Sequence, residues 1–372
     1  MPPASTGSAV TARRRRAALR KARGQAAVHA LLVTAPADVR YLSGFRGEDS
    51  FLLLGPGWAS LITDSRFAEQ AEGECGGVEV LVRSGPIFAA VADALRGRKV
   101  RSLGVQAEHL TLAGRGRLQA AVGSRRLREL SGVAAELRMV KDDAEVATIR
   151  RAVRAAEKGF GELIAAGAKG LVGRSERDVA AELDYRVRQA GAEGPSFETI
   201  VAAGPHASLP HYRPGATRLR RGHAVLIDWG ARLGGYCSDL TRVIFLDRIP
   251  PRFGEMYEAV RLAQAAAIDS IRSGVARRTP DKAARMILRD AGLDELFTHG
   301  LGHGIGLDIH EAPSVSRAAG GRLRAGMVVT VEPGVYLPGE GGIRIEDDVL
   351  VTPDGVRRLS RLSRDLDAMV LG

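Results

Sequence analysis

The chain contains little cysteine and no long apolar run. Its 372 residues include only Cys75 and Cys237, and two cysteines cannot form a disulfide framework. No apolar run reaches the roughly 18–20 residues of a membrane span. No long apolar segment follows the basic N-terminal residues, as it would in a secretory signal. These absences predict a cytoplasmic protein with no membrane partner.

The positive charge of the chain is scattered rather than concentrated. The net charge is +11, but the arginines are spread along the sequence and only residues 13–16 form a basic cluster. That cluster could be a nucleic-acid or targeting patch, although its position favours the solvated face of a first helix from Thr11 to about Arg23. Residues 1–137 also lack a glycine loop of the kind that binds phosphate. Because the positive charge is scattered, we expect no nucleic-acid partner.

The first part of the chain alternates helical and strand patterns, and the length gives room for two domains. A Gly-Pro-Gly turn at residues 55–57 separates two strand patterns, which predicts a hairpin. A charged stretch at residues 137–143 precedes a long helical pattern, so we expect domains at 1–137 and 138–372. The elements predicted for the first domain are helices at 11–23, 87–96 and 110–122, and strands at 27–34, 51–54 and 59–63.

The second part of the chain repeats one pattern. A long helix at residues 144–167 precedes a helix capped by Ser175, and a helix at residues 252–273 precedes one capped by Thr279. Each helix pair is followed by a hairpin that carries two carboxylates. If the two helix–helix–hairpin units face each other, the four carboxylates meet in one central cleft. The pattern therefore predicts an internal duplication.

The first hairpin carries Asp228 and Asp239. Asp228 ends the apolar run at residues 225–227, and Asp239 begins the apolar run at residues 240–245. With a turn centred on Leu233 and Gly234, the two aspartates lie directly opposite each other, with Cβ atoms roughly 5 Å apart. Carboxylates this close repel unless a positive charge lies between them. Two divalent ions about 3.5–4 Å apart would fit between the two carboxylates.

The second hairpin carries Glu332 and Glu346. A turn near Gly339 would bring them into rough opposition, although a bulge at the paired glycines could shift the register. Together with His303, the four carboxylates form a hard, oxygen-rich ligand set. Such a set suits Mn, Co, Fe or Zn and argues against Cu(I) or an iron–sulfur cluster. The alternative interpretation is that these residues are unrelated carboxylates at strand ends rather than a ligand set. The adjoining apolar runs argue against it, because burying each carboxylate without a partner costs several kcal/mol.

Several segments closely resemble the pita-bread metallopeptidases of family M24. The Xaa-Pro peptidase branch, which comprises prolidase and aminopeptidase P, is indicated rather than methionine aminopeptidase because a full N-terminal domain precedes these segments. That domain, with Tyr41-Leu42-Ser43-Gly44-Phe45, is similar to the creatinase-like N-terminal domain. The resemblance covers about residues 12–370. Its segments are IDWG (227–230), CSDLTR (237–242), HGLGHGIG (299–306), VEPG (331–334) and GIRIEDD (342–348).

The resemblance implies a fold and a reaction. The fold is an α/β N-terminal domain followed by an α+β pita-bread catalytic domain with pseudo-twofold internal duplication. The reaction is hydrolysis of the bond between an N-terminal residue and proline by a metal-bound hydroxide. The expected cofactors are two divalent metal ions, manganese or cobalt, with zinc or iron as alternatives. The expected partners are a peptide with proline at its second position and a second copy of the chain in a homodimer.

The resemblance also assigns roles to individual metal ligands. Asp239 and Glu346 would bridge the two ions, Asp228 would complete one ion, and His303 with Glu332 would complete the other. Glu332 would also pass a proton from the nucleophile to the departing proline nitrogen.

Four further side chains are expected to assist at the site. His310 would stabilise the tetrahedral intermediate or contact the substrate carbonyl, and His211 would lie on the substrate side. His299 would support the site from nearby. Arg344 would pair with a ligating carboxylate from two residues before Glu346.

Two other functions share this fold. A binding or chaperone module and a creatinase-type hydrolase both lack the acidic ligand set, whereas this chain has all of it. The choice between cleaving Xaa-Pro dipeptides and trimming longer Xaa-Pro peptides stays open, because a single sequence does not show how the cleft is closed off.

Overall fold

The computed structural model describes residues 4–372. The described chain forms two compact units, the first ending at Arg138 and the second spanning Met139–Gly372. No helix in the described part of the chain combines the length and the apolar character that crossing a membrane would need.

The first unit is built on a six-stranded mixed sheet with strand order β4-β3-β2-β1-β5-β6. Its strands are β1 (Ala30–Val33), β2 (Phe51–Gly55), β3 (Trp58–Asp64), β4 (Glu79–Arg83), β5 (Ser102–Gln106) and β6 (Arg126–Leu130). Its helices are α1 (Ala4–Gln25), α2 (Pro36–Ser43), α3 (Ala68–Glu74), α4 (Ile87–Ala94), α5 (Leu112–Val122) and α6 (Ala135–Arg138).

Apolar residues on the sheet form the core of this unit, where Leu32, Leu53 and Leu103 are fully buried. The predicted hairpin is present, with Gly55 paired to Trp58 across the turn. The segment Tyr41-Leu42-Ser43 belongs to helix α2, which Gly44 ends in the left-handed conformation at φ 88°.

The second unit contains four longer helices and several small sheets. The helices are α7 (Asp143–Ile164), α8 (Glu176–Gln189), α9 (Phe253–Asp269) and α10 (Arg278–Asp290). The strands before residue 250 are β7 (Gly194–Pro195), β8 (Ile200–Ala203), β9 (Ala224–Trp229), β10 (Ala231–Leu233), β11 (Tyr236–Cys237) and β12 (Leu240–Leu246). The later strands are β13 (Gly302–Gly304), β14 (Glu311–Val315), β15 (Val328–Val331), β16 (Gly334–Leu337), β17 (Gly341–Arg344), β18 (Asp347–Val351), β19 (Val356–Arg358) and β20 (Val370–Leu371).

The duplicated pattern is visible in this unit. Helix α7 packs on α8 and precedes a sheet of order β20-β12-β9-β8, and α9 packs on α10 and precedes a sheet of order β14-β13-β15-β18-β19. Trp229 of β9 packs against α7 and so joins the first helix pair to its sheet. The Trp229 ring stacks on Phe160 with centroids 4.4 Å apart, and its indole N–H donates to Ala156 O at 3.0 Å.

One predicted helix cap is present and another is wrong. Ser175 and Asp178 form a reciprocal capping box at the start of α8. The predicted cap Thr279, in contrast, lies inside α10, which begins at Arg278 and has no side-chain cap. The reason is a backbone turn, since Thr279 N donates to Ala276 O at 2.9 Å and winds the chain before the threonine is reached.

Candidate metal centre

The hairpin that carries the two aspartates differs in register from the prediction. Thr241, not Asp239, lies opposite Asp228, so the predicted direct opposition is wrong by two residues. The turn residues are Gly234 and Gly235, with φ values of 56° and 76°. A two-residue turn with positive φ at both positions matches the strand twist, and glycine adopts it without a steric penalty. Asp239 still shares a sheet face with Thr241 and Asp228, because side chains alternate along a strand.

The second hairpin has the predicted register. Val331 pairs with Asp347 on one side of the two glutamates, and Gly334 pairs with Arg344 on the other. This register places Glu332 opposite Glu346 at a gap between the two ladders. At that gap Glu346 N donates to Thr241 O at 3.1 Å, which joins the second hairpin to the first.

The ligand atoms of the predicted set converge. Among the described residues, the ligand atoms of Asp239, His303 and Glu346 lie within 4.8 Å of one another. His303 Nε2 is 3.7 Å from Asp239 Oδ2 and 3.3 Å from Glu332 Oε1. Asp228 lines the same cavity. The hairpins and β13 therefore bring all five residues to one place.

Three buried carboxylate oxygens at this place have no hydrogen-bond donor within the described chain. They are Asp228 Oδ1, Asp239 Oδ1 and Glu346 Oε1. Burial raises the pKa of both Asp239 and Glu346 well above the ordinary range, and neighbouring carboxylates raise it further. Burial also raises the pKa of Glu332 to about 7. Buried acceptors that repel one another and lack donors fit divalent cations, which supply the missing positive charge.

Arg344 fixes the orientation of one carboxylate of the set. Its Nη2 donates to Asp228 Oδ2 at 2.6 Å, which is the predicted ion pair, and its Nη1 donates to Tyr336 Oη at 2.9 Å. Its Nε donates to Thr241 Oγ1 at 3.1 Å, and that hydroxyl donates to Glu346 Oε2 at 2.6 Å. These hydrogen bonds therefore hold one oxygen of Asp228 and one of Glu346, and they leave the other oxygen of each carboxylate free to bind a cation.

The histidines predicted near the set line a single cavity of about 690 Å³. The ring of His310 lies 4.4 Å from that of His303, measured between centroids. His299 Nε2 is 2.9 Å from Tyr336 Oη, and burial lowers the pKa of His299 to about 4. His211 lies close enough to His299, His310 and Glu332 to lower the pKa of each.

Comparison with known proteins places the chain in a family. Residues 147–353 match metallopeptidase family M24. The chain belongs to this family. Residues 15–140 match the creatinase/prolidase N-terminal domain, so the resemblance and the fold class indicated by the sequence are confirmed.

Several relatives of this M24 peptidase resemble it along nearly their whole length. The Xaa-Pro dipeptidase of Pyrococcus horikoshii is 34% identical, over 91% of this chain and 94% of that protein. A solved Xaa-Pro dipeptidase from Bacillus anthracis has a TM-score of 0.92 at 33% identity, covering 97% of this chain and 100% of that one. A solved X-Pro aminopeptidase from Thermotoga maritima has a TM-score of 0.87 at 34% identity, covering 94% and 99%.

Three residues that support the ligand set are absent from the predicted site. Thr241 links Arg344 to Glu346, and Thr330 Oγ1 donates to Glu332 Oε1 at 3.0 Å. Asp348 accepts from Asp239 N at 3.0 Å. Each threonine lies two residues from a predicted ligand, so strand alternation could have identified both. Nothing in the sequence indicated that Asp348 would contact the other hairpin.

Proposed function

We propose that this M24 peptidase hydrolyses the bond between an N-terminal residue and proline in a metal-dependent reaction. The observation that carries the proposal is the convergence of five ligand residues on a cavity in which three buried carboxylate oxygens lack donors. The names of the relatives, which are Xaa-Pro dipeptidases and an X-Pro aminopeptidase, supply the substrate class.

The cofactors we propose are two divalent ions, manganese or cobalt. Asp239 and Glu346 would bridge them, Asp228 would complete one, and His303 with Glu332 the other. When bound, the ions supply the Lewis acidity that activates water for attack on a peptide carbonyl. Asp348 and Arg344 keep Asp239 and Asp228 in place through the contacts described above.

The proton transfer is assigned to Glu332. Its side chain lines the cavity, and Thr330 Oγ1 donates to its Oε1 at 3.0 Å. A carboxylate in this position can accept a proton from the attacking water and pass it to the proline nitrogen as that nitrogen leaves. A peptide nitrogen needs this proton to depart as a neutral amine, and the ring nitrogen of proline departs as a secondary amine.

The histidines would act on the substrate rather than on the cofactors. His310 is proposed to donate to the developing oxyanion of the substrate carbonyl, and His211 to contact the substrate from the exposed side of the cavity. His299 stays neutral because its pKa is about 4, and with Arg344 it holds the Tyr336 hydroxyl.

Substrate length is tested by comparing an Xaa-Pro dipeptide with an Xaa-Pro-Xaa tripeptide on manganese- or cobalt-loaded protein. The matched control is the corresponding Xaa-Ala dipeptide. We expect metal-dependent cleavage of at least one proline substrate and little cleavage of the control. Equal cleavage of the alanine and proline dipeptides, or no cleavage of either proline substrate, would contradict the proposal.

The homodimer and the cytoplasmic location stay predictions. Light scattering on the eluted peak of a sizing column, which gives the mass directly, tests the first of them.

A further inference from the structure

One loop carries His211 to the cavity. Residues 209–217 follow the short helical turn Gly204–Ser208 and contain no helix or strand. His211 is exposed on this loop, yet it lies within electrostatic range of Glu332, His299 and His310. A loop without its own secondary structure needs other contacts to hold an imidazole at such a place.

Those contacts converge on Glu176, the first residue of α8, whose side chain is completely buried. Its Oε1 accepts from Ala203 N at 2.9 Å and from His206 Nδ1 at 2.8 Å. Its Oε2 accepts from Tyr212 Oη at 2.8 Å and from Gly215 N at 3.1 Å. Each oxygen thus has two donors, so this carboxylate is satisfied by the protein alone, unlike the carboxylates of the metal set.

The backbone around Glu176 adds further anchors. Glu176 N donates to Thr217 O at 2.9 Å and Arg177 N donates to Gly215 O at 3.1 Å. Orphan N–H groups at the start of α8 are therefore satisfied by carbonyls of the loop. The ring of His206 also stacks on Tyr212, with centroids 4.4 Å apart. These contacts hold residues on both sides of His211, whose own side chain lines the cavity.

The chemistry at this position requires a carboxylate. An amide has one acceptor oxygen and one NH₂ group, so in either orientation its NH₂ would face a backbone N–H, that of Ala203 or that of Gly215. A hydroxyl or a ring nitrogen can exchange donor and acceptor roles, but a backbone N–H cannot. Glutamine would therefore leave at least one buried donor without a partner.

We propose that Glu176 is a positioning residue of the peptidase that acts through His211. Its carboxylate fixes residues 206–215 so that the imidazole of His211 meets the substrate. The inference rests on the proposed function, because it assigns His211 to the substrate side of that same site. Glu176 contacts none of the five metal-ligand residues, so its effect is separate from metal binding.

The first test is Glu176→Gln, with Ser175→Ala as the matched control. Ser175 caps the same helix by accepting from Asp178 N, but its side chain forms no hydrogen bond with residues 209–217. We expect Glu176→Gln to keep its metal content and to lower kcat on an Xaa-Pro substrate by about 10–100-fold, the range for a misplaced catalytic group. Ser175→Ala should keep kcat within about twofold, since a cap affects mainly stability. An equal loss of kcat in both variants would reduce Glu176 to a helix-stabilising residue and overturn the inference.

The second test is a double-mutant cycle with His211→Ala. If Glu176 acts through His211, adding Glu176→Gln to His211→Ala should lower kcat by no more than about twofold further. A multiplicative loss in the double variant would overturn the inference.

The third test is hydrogen exchange, which does not depend on activity. The amide of Ala203, that of Gly215, or both should exchange faster in Glu176→Gln than in the wild type, while both stay protected in Ser175→Ala. If the wild type fails to cleave Xaa-Pro substrates, the proposed function is wrong and this exchange alone decides whether Glu176 holds the loop. Unchanged exchange rates of both amides would overturn the inference in either case.

Discussion

At the scale of single residues, the centre is defined by what its carboxylates lack. Within the described chain, Asp228, Asp239 and Glu346 each keep one buried oxygen without a donor. The other oxygen of Asp228 accepts from Arg344, and the other oxygen of Glu346 accepts from Thr241. The side chains around the set therefore decide which oxygen remains for a cation.

Arg344→Gln tests this arrangement. Loss of the guanidinium leaves Asp228 Oδ2 unpaired and free to rotate away from the site. We expect metal affinity to fall about 10–100-fold, the usual effect of removing a partner of a ligand. Titration calorimetry with manganese measures it, and Arg357→Gln on the exposed face of β19 serves as the control. Unchanged affinity in Arg344→Gln would show that Asp228 is oriented by something else.

His303→Ala and His310→Ala separate metal binding from catalysis. His303 lies among the ligand oxygens, so its removal should reduce metal content and activity together. His310 packs against the ring of His303, and among the described residues no hydrogen bond or ion pair joins it to the carboxylates, so its removal should keep metal content. We expect a loss in kcat of roughly 10²–10⁴-fold for His310→Ala. The assigned role is wrong if His310→Ala empties the site or turns over normally.

His299 gives a pH dependence of stability. Burial lowers its pKa to about 4 in the folded chain, whereas an unfolded histidine titrates near 6.5. Between these values the unfolded state binds more protons, so the residue destabilises the fold as the pH falls from about 6.5 toward 4. In chelator-treated protein, the free energy of unfolding of the wild type relative to that of His299→Gln should decrease as the pH falls through that window. Urea unfolding measures this difference. A difference that is constant with pH would contradict a depressed pKa for His299.

At the scale of elements, the sequence predicted the second hairpin better than the first. A turn centred on Gly339 gave the register that places Glu332 opposite Glu346. The first hairpin was placed two residues off because its sequence offers Leu233-Gly234 and Gly234-Gly235 as alternative turns. Backbone geometry selects the pair of glycines, and an apolar pattern is insensitive to a shift of two residues because both registers put the same side chains on the same face.

Gly235→Val tests that turn. A β-branched residue at φ 76° is strained, so we expect the free energy of unfolding to fall by about 1–3 kcal/mol. Gly235→Asn should cost less, since asparagine tolerates the left-handed region. Urea denaturation of both variants provides the comparison. Equal stability of the valine variant and the wild type would mean that the turn residues are wrongly assigned.

At the scale of the whole molecule, all five ligand residues and the cavity belong to the unit that spans Met139–Gly372. The sequence predicted this because the ligands follow strand patterns in a duplicated arrangement, and their family match covers residues 147–353. Which ligand residues Arg344, Thr241 and Asp348 contact could not be predicted, because each of these partners lies more than 100 positions away in the sequence. Such pairings depend on how the two hairpins meet, which no local pattern contains.

The central claim is that catalysis requires divalent ions bound by this ligand set. The most direct measurement determines metal content by mass spectrometry beside Xaa-Pro peptidase activity, in wild type, in chelator-treated protein, and in Asp239→Asn. We predict two ions per chain in the wild type, loss of activity with the chelator, recovery on adding manganese or cobalt, and weakened binding of both ions in Asp239→Asn. Full activity in a sample verified to be free of metal would contradict it.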